Sequence, residues 1–250
     1  MGVMLQTFYW DCPREDGKEF QWWNTIRANI PALAKTGFTS LWLPPAHKAG
    51  NISGPSMGYD PYDFYDLGEF DQKGGIPTWF GTRAELEALI REAHEHHLGV
   101  IADIVINHNN GADQQEVNPI TGQSRWTLFQ PRSGKFPRNW EAFHPNMYES
   151  WDEMTFGDMP DLSHRNPYVY AELLKLARWL VEELGFDGFR YDFVKGYGSY
   201  TIQAFQEYRY LRNGQPVRPY GVAEFWDNAR AIENWVDLAN FSNSNTVDAF

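Results

Sequence analysis

An α/β fold with a mostly parallel sheet is what this sequence predicts, on three observations. Strand-like and helix-like segments alternate along the 250 residues, the order that joins parallel strands through crossover helices. Residues 100–106 form a continuous Val/Ile-rich run, the pattern of a strand buried on both faces. Polar residues recur where strand-like runs end, and parallel β/α folds meet their ligands at those ends. The length suits a TIM (β/α)8 barrel, yet only about six strand candidates can be counted. The expectation is an incomplete barrel with a small domain inserted after the third strand. Residues 1–106 and 165–250 would form barrel, and 107–164 the insertion.

Taken in order, residues 3–9 read as an apolar strand, and 22–35 as a helix of 3.6-residue apolar spacing that stops near Gly37. Residues 39–43 form a second strand, ended by Pro44 and Pro45, which cannot donate to a ladder. Thr82 and Glu85 make a capping box at the head of a helix, with Gly99 past its end. The third strand, 100–106, follows. Residues 107–164 are polar and rich in Trp, Asn, Pro and Gly, too long for an ordinary connection. Asn166 and Pro167 then suit the cap and first residue of a helix running to Leu184, closed by Gly185. Residues 186–193 are the fourth strand, 199–210 a helix and 220–225 the fifth strand. Asp227 is placed to cap a helix ending at Ala239, and 246–250 begin a sixth strand.

Composition excludes more than it selects. A net charge of −12 gives no basic face for nucleic acid. No apolar run is long enough to span a membrane, and no signal peptide is visible, so the expected setting is cytoplasmic, or extracellular if a leader has been removed. One cysteine, Cys12, permits neither an internal disulfide nor a cysteine-rich metal site. The aromatic share is high at 16%, with 11 Trp and 13 Tyr. Aromatic faces stack on sugar rings, but large cores use them too.

The chemistry gathers at strand ends. Asp103 lies in the third strand, finished by Asn107 and His108; Arg190 and Asp192 finish the fourth, and Glu224 the fifth. Alternation along a strand sends Arg190 and Asp192 to the same face. One strand-end Asp is usually an ion pair or a cap, but here carboxylates, an arginine and a histidine converge. Glycoside cleavage needs such a set: one carboxylate ionised, the other holding a proton for the leaving oxygen. Arg190 beside Asp192 is expected to keep Asp192 ionised, which leaves Glu224 as the acid.

Five segments in order carry a resemblance. Residues 103–108 (DIVINH), 188–196 (GFRYDFVKG), 221–227 (GVAEFWD), 57–63 (MGYDPYD) and 159–162 (MPDL) are similar to the conserved regions of the α-amylase family of glycoside hydrolases. The short motifs look most like archaeal-type and plant-type members. The resemblance implies that Asp192 attacks the sugar and Glu224 protonates the leaving oxygen. It makes His108 and Tyr59 partners of the sugar before the cut and Lys195 of the sugar after it, with Arg190 in the substrate site orienting and ionising Asp192 and Trp226 beside the acid. Asp103 would brace the barrel mouth. The resemblance also implies Ca2+, held by Asn107, Asp152, Asp161 and the Gly196 carbonyl. No zinc is expected, because Glu149 and Ser163 stand where some relatives have cysteines beside His144.

The expected activity is retaining, endo-acting hydrolysis of α-1,4-glucans such as starch or glycogen, by a protein that is monomeric at full length. Transglycosylation, branching, α-glucosidase action, or glucan binding without turnover are the alternatives. The family's third carboxylate, an Asp after a His near the seventh strand, has no counterpart in these residues. The 250 residues alone are therefore expected to be inactive, and their open sheet edges prone to aggregation.

Overall fold

The computed structural model describes residues 2–51, 55–150, 154–240 and 247–250. Six parallel strands form one sheet in chain order: β1 (Met4–Gln6), β2 (Ser40–Trp42), β3 (Gly99–Ile104), β4 (Gly188–Tyr191), β5 (Tyr220–Ala223) and β6 (Val247–Ala249). Each pairs with the next. Between successive strands run the helices α1 (Trp22–Thr36), α2 (Arg83–Glu95), α3 (Pro167–Glu182), α4 (Ser199–Glu207) and α5 (Ala229–Ala239). Strand order never reverses, so the sheet is a section of barrel wall, six of the eight strands of a TIM barrel.

Local chemistry sets the helix ends. α1 stops where Gly37 turns left-handed at φ 103°, a conformation that costs glycine little. Thr82 and Glu85 cap α2 reciprocally, and Asn166 caps α3 ahead of Pro167. α5 departs from expectation. Its cap is Asn228, whose side chain accepts from the Ala231 N–H, while Asp227 turns to Lys195. The apolar stripes then meet the sheet. Leu176 and Leu180 of α3 close over Ala102 and Ile104 of β3, beside Phe186. Burying each such leucine contributes about 1.5–3 kcal/mol.

The strands are shorter than the apolar runs that announced them, because residues beyond the ladder enter the rim. α4 also ends early, at Glu207. An antiparallel hairpin follows, Tyr210–Arg212 against Gln215–Val217. Its turn is Asn213-Gly214, both at positive φ (53° and 75°), the sequence that a tight two-residue hairpin requires.

Residues 107–166, between β3 and α3, hold a second hairpin (Gln114–Val117 with Ser124–Leu128) and a single turn of 3-10 helix (Trp140–Ala142). They pack on the β2–α2 connection, where Lys48–Ala49 pairs with Pro61–Asp63. The Asn110 N–H and the Asn109 amide both donate to the Pro61 carbonyl at 2.9 Å. Beneath this contact the fully buried Lys48 ammonium meets the carbonyls of Gly75 (3.0 Å), Ile76 (2.6 Å) and Pro77 (3.1 Å), and the Asp66 carboxylate at 3.4 Å. Among the described residues, no helix is long and apolar enough to cross a membrane.

Candidate active site

Strand register assembles the site. Asp103 of β3 lies opposite Arg190 of β4, and Arg190 lies opposite Val222 of β5. The ladder continues one rung past the strand ends: the Asp192 N–H donates to the Ile104 carbonyl and the Glu224 N–H to the Tyr191 carbonyl, each at 2.9 Å. Arg190, Asp192 and Glu224 therefore project into one mouth. The next residue, Phe193, is left-handed at φ 45°, and its N–H donates to Glu224 Oε2 at 3.1 Å.

Arg190 is the hub. Its Nη1 reaches Asp103 Oδ1 at 2.9 Å and Asp192 Oδ1 at 2.7 Å, and its Nη2 reaches Glu224 Oε2 at 2.9 Å. The guanidinium lies 4.9 Å from the centre of the Trp42 ring. Asp103 also accepts from Trp42 Nε1 and the Tyr59 hydroxyl, both at 2.9 Å. These contacts tie β3 to β2, to β4 and to the loop that carries Tyr59.

One guanidinium cannot keep three crowded carboxylates charged. Burial, then the neighbouring Asp103, pushes Asp192 up to about 8 despite Arg190. Burial pushes Glu224 up as well, but Arg190 and donors from Trp226 and Phe193 outweigh it and hold that carboxyl below its usual value. Arg190 does act to lower Asp192, but it is shared, and burial with Asp103 outweighs it. Burial and the neighbouring Asp103 thus favour a protonated Asp192, while Asp192 and Glu224 sit on opposite arms of the same guanidinium.

Around these groups opens an aromatic cleft of about 520 Å³. On one wall Trp10, 62% exposed, stacks on Tyr59 with ring centres 6.0 Å apart and planes 13° apart. On another, His108 stacks on Phe156 at 4.8 Å, and its Nε2 meets the Tyr59 carbonyl at 2.9 Å. Burial lowers the His108 pKa. Trp226, 75% exposed, extends the third wall and donates to Glu224 Oε1 at 2.7 Å. Tyr59, His108, Arg190, Asp192, Glu224 and Trp226 thus share the cleft. Lys195 does not line it; its ammonium is bound to the Trp226 carbonyl (3.0 Å) and to Asp227 (2.8 Å). Trp10, Trp42 and Phe156 escaped the sequence reading, although Trp10 had a signal: an aromatic run, Phe8-Tyr9-Trp10, leaves the C-terminal end of β1.

Three of the four residues expected at calcium lie together; Asp152 is outside the described residues. The Leu162 N–H donates to the Asn107 carbonyl at 2.8 Å, which places Asp161 beside the end of β3. Asn107 Oδ1 is buried with no donor among the described residues. It fills the space that a Cβ at Gly196 would occupy. An orphaned amide oxygen, a buried carboxylate and a close backbone suit a hard cation. No cluster of three His, Cys, Asp or Glu occurs among the described residues, so any such site draws on amide and carbonyl oxygen as well.

Comparison with known proteins agrees with this geometry. The family described as alpha amylase, catalytic domain, matches residues 14–246. An alpha-amylase of Bacillus licheniformis is 32% identical over 97% of this chain, and the cytoplasmic alpha-amylase of Escherichia coli is 32% identical over 94%. The chain spans about half of each, 54% and 56% of their lengths. A probable alpha-amylase 2 of Arabidopsis thaliana is 27% identical over 90% of this chain. The crystal structure of an alpha-amylase from Geobacillus thermoleovorans complexed with acarbose shares the fold, with a TM-score of 0.64 at 23% identity over 95% of this chain and 49% of that one. A six-strand barrel wall, a carboxylate cluster at its mouth and a family match across almost the whole length lead to one conclusion: this chain belongs to the alpha-amylase family.

Proposed function

We propose that the whole protein is a retaining, endo-acting hydrolase of α-1,4-glucans of the starch and glycogen type. The observation that carries this reading is the binding of Asp192 and Glu224 to opposite arms of the Arg190 guanidinium, at the floor of an aromatic cleft. Asp192 attacks the anomeric carbon while Glu224 gives its proton to the leaving oxygen. Water then cleaves the glycosyl–Asp192 ester as Glu224 takes a proton back. One guanidinium holds both carboxylates, which favours the close spacing of a retaining pair over the roughly 6.5–9.5 Å of an inverting one. Tyr59 and His108 position the sugar before the cut, and Trp226 the sugar after it. Lys195 joins the second group only by releasing Asp227.

Calcium fits at Asn107, Asp161 and Gly196, with Asp152 as a further ligand. When bound it neutralises the Asp161 carboxylate and pins residues 107–164, which we read as a small inserted domain, to the barrel rim. We read the protein as a monomer whose partner is the glucan, in a cytoplasmic setting like that named for the Escherichia coli relative.

The test is Asp192→Asn in the full-length protein. Starch hydrolysis, read as reducing ends, is expected to disappear while the folded state remains. Undiminished hydrolysis by that variant would end the proposal.

A further inference from the structure

Glu224 is tied down on both oxygens. Oε2 accepts from Arg190 Nη2 at 2.9 Å and from the Phe193 N–H at 3.1 Å. Oε1, the other oxygen, accepts from the Trp226 indole N–H at 2.7 Å. A proton donor must offer an O–H to the leaving oxygen, and a carboxylate accepting three N–H bonds resists protonation. Trp226 meanwhile is 75% exposed, so the hydrogen bond that holds Oε1 among the described residues is made by a side chain that a sugar can push aside.

From this geometry we infer that Trp226 is a positioning residue that keeps Glu224 out of the donor state until a sugar on the leaving-group side displaces its indole. The inference rests on the roles proposed for Asp192 and Glu224. When the indole leaves, Oε1 loses a donor and Glu224 becomes a stronger base than before. Asp192 and Glu224 lie on opposite arms of one guanidinium, and the proton they share then shifts toward Glu224. One proton moves, Asp192 is left ionised for attack, and Glu224 is left protonated for donation. The raised Asp192 and lowered Glu224 of the free site are the state before this transfer.

The charged groups facing Glu224 are few. Arg190 and Asp192 come from β4, and Asp103 from β3 behind the guanidinium. The Lys195–Asp227 pair holds the Trp226 carbonyl on the rim, fixing the backbone from which the indole swings. Tyr59 and the ring of His108 stand across the cleft.

The indole resonance reads the contact without any need for turnover. In the 15N-labelled chain it is the cross-peak missing from Trp226→Phe. Between pH 6 and 9 the pair loses its proton, negative charge beside the indole's acceptor rises, and this peak is expected to move downfield. Glu224→Gln should abolish that step. Saturating maltoheptaose should carry the peak to the position of an unbonded indole. In the full-length enzyme, Trp226→Phe keeps a ring but loses the N–H. The alkaline limb of its pH–rate profile should rise by about one pH unit, a tenfold weaker acid.

A resonance indifferent to both pH and Glu224→Gln overturns the inference whatever the sugar does. So does one that keeps its bonded position while other tryptophan peaks respond to maltoheptaose. If no tryptophan responds to maltoheptaose, the glucan reading fails instead, and the pH step alone decides whether the indole governs Glu224.

Discussion

Asp192→Asn should stabilise the fold, and more so as the solution becomes alkaline. Asp192 is 7% exposed and its carboxyl is raised from 3.8 to about 8. Between those values the folded chain holds a proton at Asp192 that the unfolded chain releases. Stability therefore falls as pH rises through the window from about 4 to about 8. Four pH units at about 1.36 kcal/mol each set an upper limit on the order of 5–6 kcal/mol. Asp103 and Glu224 compete for the same guanidinium and share this cost, so roughly half, about 2–3 kcal/mol, falls to Asp192. Asparagine keeps the shape and drops the charge. At pH 8.5 the variant should melt roughly 5–10 °C above the parent. At pH 5, where Asp192 is already neutral, the two should melt within about 2 °C of each other. Thermal unfolding followed by circular dichroism at both values decides it. Equal destabilisation at both would show that Arg190 gains more from Asp192 than the crowding costs, and would refute the account of a shared proton.

Three further outcomes are expected. Lys48→Met strips the buried Asp66 and three carbonyls of their cation and should cost about 3–5 kcal/mol in urea unfolding. Gly196→Ala forces a Cβ onto Asn107 Oδ1. The parent should gain about 2–3 kcal/mol from calcium at a hundredfold excess over Kd, and lose it to a chelator, whereas the variant should respond to neither in differential scanning calorimetry. Trp10→Ala in the full-length enzyme removes the outer ring of the Trp10–Tyr59 shelf. It should raise KM for maltooligosaccharides about tenfold with little change in kcat.

The barrel was legible in the sequence because its signals are local. Buried strands need continuous apolar runs, and α2 and α3 carry their caps in plain view at Thr82, Glu85, Asn166 and Pro167. Register then made Arg190 and Asp192 neighbours on one face, as alternation requires. Errors came where a choice depended on distant partners. Asp227 and Asn228 are equally good caps in isolation; only the position of Lys195, on the β4 side of the mouth, takes Asp227 away. Asn213-Gly214 was readable as a hairpin turn, but Tyr208 and Tyr210 continue an apolar pattern that also suits a helix. The upward push on the Asp192 carboxyl could not be read from its neighbour in sequence. It depends on three carboxylates from three strands meeting one guanidinium.

The ammonium of Lys48 does, inside the β2–α2 connection, the work that a bound ion does elsewhere: it gathers carbonyls that would otherwise repel one another. Unlike a metal, it cannot be leached by a chelator, exchanged for a competitor, or left unfilled when supply is short. The two halves of the rim would therefore answer differently to their surroundings. Starving the protein of divalent ions should loosen the side that holds Asn107 and Asp161, while the shelf bearing Tyr59 keeps its shape.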